Sequence, residues 1–394
     1  MKKLLYGTTA LVAAGMITGG AQAADKIKVG IGGYFYAFLA VGSDDDSAAT
    51  ATRAAEPGNN RRSHRITREG EIIFTGKTTL DNGIQFGVQV QLEAEQCGDQ
   101  IDETFMWASG SFGRVNVGSE NSAAYAMHYT SPAASHWSNG LNSPGNRNFN
   151  VGGNSASIPN TNPNMTSDSE KITYFTPRMA GFQLGASYTP ENCEEANGGN
   201  CTGTYGGFQG DNTTGTQSEV IELGANYSGK IGGASIGISA SWGEADVEGP
   251  SAANTAGCAT FAAPCNDDRE EWSLGAKASM NGFSVGAAYY EDNNGTSVAN
   301  SDDQSWTVGL RYATGPWGFG IQYANFENES GVTAAGLANG NDELDAVEIG
   351  GSYDIGPGIK MLAGIQFVDL DDNANSGANE NDATVVFFGT FLSF

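Results

Sequence analysis

Residues 84–95 alternate without exception. The even positions are Ile84, Phe86, Val88, Val90, Leu92 and Ala94, and the odd ones are Gln85, Gly87, Gln89, Gln91, Glu93 and Glu95. Period two over so long a run specifies a β-strand with one apolar and one polar face. It also exceeds the usual strand length of a soluble protein. The same grammar returns at 272–279, 283–289 and 306–312. The polar partners are small or charged, as a wet interior requires. A β-sandwich with solvent outside would alternate too, but length and regularity favour a closed barrel in a membrane. No segment beyond residue 23 approaches the 18 or so consecutive apolar residues of a transmembrane helix. A barrel shows lipid only every second residue, so its mean hydropathy stays low.

Between the strands, short turns alternate with long segments. The short ones include Asp81-Asn82-Gly83, Ser111-Phe112-Gly113, Met179-Ala180-Gly181, Asn281-Gly282, Gly315-Pro316-Trp317 and Gly356-Pro357-Gly358. Asn-Gly and Pro/Gly turns of this kind join hairpins. The long segments cover 43–63, 121–168, 192–217, 246–268, 292–302, 328–342 and 372–381. Sixteen strands are expected, roughly 26–42, 64–80, 84–96, 101–110, 114–120, 169–178, 182–191, 218–229, 234–245, 269–280, 283–291, 303–314, 318–327, 343–355, 359–371 and 382–394. Fourteen or eighteen follow if 43–63 or 121–168 are counted differently. Phe86, Phe105, Trp107, Phe112, Phe182, Phe283, Trp317 and Phe319 stand beside short turns, where a membrane barrel carries an aromatic girdle.

The chain opens with Lys2-Lys3, an apolar run and Ala21-Gln22-Ala23, which predicts a secretory signal peptide over 1–23 and a barrel domain over 24–394. It closes on an apolar strand ending at Phe394. The 45 acidic residues against 19 basic ones give a net charge of −26, the wrong sign for a nucleic-acid binder. In an oxidising compartment, the close pairs Cys193/Cys201 and Cys258/Cys265 predict two loop disulfides. Metal binding is the alternative, but no His lies near either pair; Cys97 is left over as a buried thiol, an intermolecular partner or a neutral residue.

The opening strand Val29-Gly30-Ile31-Gly32-Gly33-Tyr34-Phe35, the hairpin Phe74-Thr75-Gly76-Lys77-Thr78-Thr79-Leu80-Asp81-Asn82-Gly83 and the strand Ser109-Gly110-Ser111-Phe112-Gly113-Arg114-Val115-Asn116-Val117-Gly118-Ser119-Glu120 resemble those of alphaproteobacterial general porins. The resemblance covers the chain beyond the leader. It implies an all-β, transmembrane antiparallel β-barrel of about sixteen strands with short periplasmic turns and long outer loops. It also implies a homotrimer in the outer membrane, the third loop folded into the lumen, and passive diffusion of small hydrophilic solutes. In that family the third loop supplies acids facing an arginine cluster. Here residues 121–167 hold no Asp or Glu, which puts a strong transverse field in doubt.

Strand parity places Arg65, Glu69, Glu71, Lys77, Gln89, Gln91 and Glu93 on the lumen wall, followed by Arg114, Asn116 and Glu120. The third loop adds His128 and Arg147. These are the candidate pore-lining and constriction residues, either as mutually screened charges or as a mixed-sign filter. Arg61 and Arg62 would overhang the mouth. Acidic pairs in the outer loops suit Ca²⁺ or Mg²⁺ bridging lipopolysaccharide phosphates, or simply keep the loops soluble. Gly-x-Gly patterns open no helix, and His64, His128 and His136 lack metal-ligand spacing, so neither an enzyme nor a cofactor is expected. A substrate-selective channel, for sugars for example, and a non-conducting structural or adhesive barrel are the alternatives.

Overall fold

The computed structural model describes residues 26–44, 62–94, 101–142, 160–192, 217–248, 268–295, 302–329, 341–372 and 381–394. The leader, Arg61, Arg147 and all five cysteines, with both expected disulfides, lie outside the described residues.

Sixteen antiparallel strands close into one barrel. They are β1 (Lys28–Asp44), β2 (His64–Thr79), β3 (Gln85–Glu93), β4 (Ile101–Gly110), β5 (Gly113–Ser119), β6 (Glu170–Phe175), β7 (Phe182–Glu191) and β8 (Gln217–Ile231). The second half is β9 (Ala234–Val247), β10 (Arg269–Met280), β11 (Phe283–Asp292), β12 (Asp303–Thr314), β13 (Trp317–Glu329), β14 (Asn341–Gly356), β15 (Ile359–Asp372) and β16 (Asn381–Ser393). Every expected strand is present. Each pairs with its sequence neighbours, and β1 closes the ring on β16 from Tyr34↔Ser393 to Asp44↔Ala383. Gly33 and Phe394 exchange two further backbone bonds of 3.1 Å.

All short connections lie at one end of the barrel and all long ones at the other. A two-residue type I′ turn needs positive φ at both positions. Asn281-Gly282 meets this with φ 52° and 85°.

Exposed apolar side chains point outward, among them Val88, Leu184, Leu274, Val285, Val308 and Ile321. At the short-turn end aromatic pairs form a girdle: Phe182–Tyr227 at 4.9 Å, Phe283–Tyr312 at 4.4 Å and Trp317–Tyr353 at 4.4 Å between centroids. Trp272–Tyr289 and Trp306–Tyr323, at 5.0 and 4.7 Å, form a second belt nearer the long loops. Such pairs each add about 0.5–1.5 kcal/mol beyond burial.

Two residues expected in the girdle are elsewhere. Parity turns Phe105 and Trp107 inward, because Met106 between them is the exposed one. Trp107 lies against Gly87, where a Cβ would overlap its indole. The polar-lumen rule also fails on β1 and β16. Their inward faces carry Tyr36, Phe38, Phe387 and Phe391, packed with Leu362 into a buried cluster. The sequence of β1 is apolar on both faces, and the inner face is dry because an inserted segment covers it.

The outward assignment predicts a sharp contrast. Leu274→Arg should put a charge in lipid and destabilise the barrel by about 2–4 kcal/mol. Gln89→Arg should leave it intact, because that side chain faces water. Heat-modifiability on electrophoresis measures both, and equal defects would refute the parity.

Candidate functional site

Strands β5 and β6 are the shortest, so the wall drops to mid-height between them and the third long connection turns inward. It begins at Glu120 and carries a single helical turn, α1 (Ala123–Ala126), capped by Ser122, whose hydroxyl accepts from Tyr125 N. A 3-10 turn over Trp137–Asn139 follows, capped by His136. The segment then follows the inner wall strand by strand. Ala123 N donates to Ser187 Oγ of β7 at 2.8 Å, Asn226 Nδ2 of β8 donates to Met127 O at 3.0 Å, and Tyr129 N donates to Ser239 Oγ of β9 at 2.8 Å. Further round, Ser131 Oγ donates to Thr307 Oγ1 of β12 at 2.8 Å, and Leu141 N to Gln322 Oε1 of β13 at 2.9 Å. Ser135 donates to Glu348 Oε1 of β14 through N and Oγ, at 3.1 and 2.7 Å. The returning arm ties Thr166 Oγ1 to Glu222 and Met165 N to Glu271, at 2.5 and 3.2 Å.

What lets a backbone lie so close to a wall is a lane of inward glycines. A Cβ at Gly224 would sit 2.6 Å from Ala123 O, at Gly286 3.0 Å from Thr130 O, and at Gly320 2.7 Å from Ala134 O. At Gly275 and Gly309 it would overlap Tyr129 O and Pro132 O. Glycine recurs here because the loop needs its volume. Nothing in their number sets these glycines apart from the 56 the chain holds. The missed signal is that they fall at one parity on consecutive strands, several directly paired, as in Gly185↔Gly224, Gly286↔Gly309 and Gly320↔Gly350.

The opposite wall is acidic. Glu69, Glu71 and Glu93 stand on β2 and β3. A bulge between Val90 and Leu92 turns both Asp102 and Glu103 toward them. Gln89 and Gln91 bridge this row, donating to Glu103 and Asp102 at 3.4 Å each. Tyr34 OH donates to Glu71 at 2.6 Å and to Glu69 at 3.1 Å, and Tyr36 OH donates to Glu69. Oxygens of Glu71, Glu93 and Asp102 lie within 4.8 Å of one another, the spacing among the described residues that suits a hard cation. The acids missing from the loop are therefore supplied by the wall.

Arg114 sits over the Trp107 ring at 4.8 Å and donates to Asn116 Oδ1 at 2.6 Å; Asn116 Nδ2 donates to Glu120 at 2.5 Å. These three form one chain of contacts at the foot of the loop. Lys77 and Arg65 share the inward face of β2 near its two ends; Lys77 pairs with Gly87 and Gly87 with Trp107, so Lys77 stands level with that chain two strands away, while Arg65 is at the far end of the strand. His128 is in the loop seat, its Nε2 3.3 Å from Thr161 Oγ1 and its Nδ1 3.3 Å from Ser273 Oγ.

Inside the lumen, Trp137 meets Tyr34, Tyr36 and Phe391 edge-to-face, with centroids at 5.2, 6.4 and 5.5 Å. It keeps 48% of its surface exposed.

A closed sixteen-strand barrel with its third long connection seated in the lumen is the architecture of a porin, and the sequence profile of Gram-negative porins matches residues 7–373. The chain belongs to that family. No curated protein matches the porin by sequence. Solved structures share the fold at low identity. An anion-selective porin from Comamonas acidovorans is 14% identical, with a TM-score of 0.57 over 94% of this chain and 100% of that one. A trimer form of OmpT from Vibrio cholerae is 12% identical, with a TM-score of 0.56 over 94% and 100%. OmpF from Salmonella typhi, in complex with daunomycin, is 15% identical, with a TM-score of 0.56 over 93% and 98%.

The porin's loop seat titrates. Burial, and then the charge of Lys277, push His128 down to about 4; burial, Lys360 and Arg311 do the same to His136. A released loop would restore both to about 6.5. Between those values the released state binds more protons, so the seat weakens as pH falls from about 6.5 to 4. Glu120, raised by burial to about 7, acts in the opposite sense, weakening its own position as pH rises through about 4.5–7. Open-channel noise should therefore grow from pH 7 to pH 5, and His128→Gln/His136→Gln should remove the growth. An unchanged increase in the double variant would assign it to other groups.

Gln322 is the second handle. Its amide also donates to Ser131 Oγ and Asn142 Oδ1, at 2.9 and 2.7 Å. Gln322→Leu should orphan the Leu141 N–H at a cost of about 1–3 kcal/mol. The expected result is a larger, noisier single-channel step with barrel assembly unchanged.

Proposed function

We propose that this porin is a general diffusion channel, a homotrimer in the outer membrane through which small hydrophilic solutes and ions pass passively. The observation that carries it is a loop that narrows the lumen without closing it. Glu71, Glu93 and Asp102, and Trp137 on the aromatic row beside them, all keep accessible surface inside the barrel. The long loops face outward and the short turns face the periplasm. The leader over 1–23 and the bridges Cys193–Cys201 and Cys258–Cys265 belong to the same reading, as does the absence of enzymatic activity.

Trimer formation is supported by Arg68, exposed on the outer face of β2 between Ile66 and Ile72. Lipid offers a guanidinium no hydrogen-bond acceptor, whereas a subunit interface can. Outward carboxylates at the long-loop rim, Asp345, Asp369 and Asp382, line one shallow pocket with Thr384. They suit Ca²⁺ or Mg²⁺ held between the rim and lipopolysaccharide phosphates. One observation favours a second reading, a sugar-selective channel: the exposed Trp137 stands on an aromatic row beside carboxylates, a surface on which a pyranose can stack.

Planar-bilayer recording separates these readings. A conductance that scales with bulk salt, with solute flux that does not saturate, is expected. Saturation and current block by an oligosaccharide would select the sugar channel, and electrical silence would leave a structural barrel.

A further inference from the structure

The lumen charges separate along the barrel axis. Lys28, Lys77, Arg114, Lys277, Arg311 and Lys360 all face inward and all lie within three residues of the short-turn end of their strands. Lys230, next to last in β8, shares that parity. Below the strands, Arg178 joins them by donating to the inward Gln183 and Asn226, at 2.7 and 2.8 Å.

The inward acids stand higher. Glu71, Glu93 and Asp102 border the open lumen, each eight residues from the same end, and Glu103, Glu222, Glu271 and Glu348 stand at the same height, buried against the inserted loop. Exceptions are few and mostly bound. Asp354 at the short-turn end is paired with Lys360, and the two charges cancel, which leaves the zone basic through its other cations. In the upper half, Arg269 is paired with Asp292 at 2.5 Å, and Lys171 donates to the carbonyls of Glu120, Ser167 and Ser169. Arg65 stands at the rim.

About five residues of tilted strand separate the two zones, roughly 12–15 Å along the axis. That exceeds the screening length of about 10 Å at 0.1 M salt, so a passing ion meets the zones one after the other.

From this we infer that the pore rectifies: an acidic, cation-accumulating zone on the long-loop side lies in series with a basic, anion-accumulating zone on the short-turn side. The inference rests on the reading of the protein as an open channel. When the long-loop side is positive, cations descend through the acidic zone while anions rise through the basic one. Both reach mid-lumen, salt accumulates there, and conductance is high. With the opposite polarity both ions are drawn away. Neither is replaced, because each zone excludes the ion that would have to enter through it, and conductance falls.

The test is a current–voltage curve from single channels of the full-length protein in planar bilayers. Orientation is fixed by streptavidin on a biotinylated tag in the Gly232–Gly233 turn. In 0.1 M KCl the current with the long-loop side positive should exceed the reverse current by a factor above about 1.5, and the ratio should fall toward 1 in 1 M KCl, where screening shortens to about 3 Å. Lys28→Gln/Lys77→Gln/Lys230→Gln should bring the low-salt ratio toward 1 and shift the reversal potential toward cations. A symmetric curve at low salt from a conducting channel, or a larger current of the opposite polarity, overturns the inference and leaves the porin reading standing. A channel that never conducts overturns the porin reading itself.

Discussion

Ring closure is the constraint on which everything else rests. A strand with a free edge cannot stand in hydrocarbon, because each unsatisfied backbone group there costs several kcal/mol. Here β1 finds β16 along eleven paired residues, and no strand is left as an edge. Closure has a geometric consequence: sixteen tilted strands enclose more space than their own inward side chains fill. The interior must then be occupied by water, by inserted chain, or by both.

The inserted loop is the answer to that space, and it shapes the wall that holds it. The loop's peptide groups need partners, and the wall supplies them from inward Ser, Thr, Gln and Glu side chains. The wall in turn gives up side-chain volume along the glycine lane so that the loop can approach. On β1 and β16 the relation runs the other way. The wall there is apolar, and Trp137 with His136 packs over Phe391 and Tyr34. One segment thus makes polar contacts around most of the ring and apolar ones at its closing seam. It crowds one side of the lumen and leaves the acidic faces of β2–β4 to border the water.

The electrostatic pattern follows from the same asymmetry. Carboxylates cluster at the height where the loop needs acceptors: Glu222, Glu271 and Glu348 each bind loop N–H or hydroxyl groups. Lysines and arginines collect below, where wall and turns meet water. A charge pattern along the axis thus accompanies the way the loop is held.

The strands were legible from the sequence because a membrane barrel writes its two environments into alternate residues. Parity alone placed Glu69, Glu71, Gln89 and Arg114 inward, and the Asn-Gly and Gly-Pro signals separated short turns from long loops. Parity says nothing of height, of neighbours around the ring, or of what fills the middle. Those depend on register and closure. Register set Trp107 against Gly87 and let a one-residue bulge aim Asp102 and Glu103 together. Closure brought Tyr34 beside Phe391, residues at opposite ends of the chain. The glycine lane became meaningful only with the loop lying in it. Local alternation follows from the chain's own solvent preference, residue by residue. The site is made by residues far apart in sequence, and only the closed ring decides which of them meet.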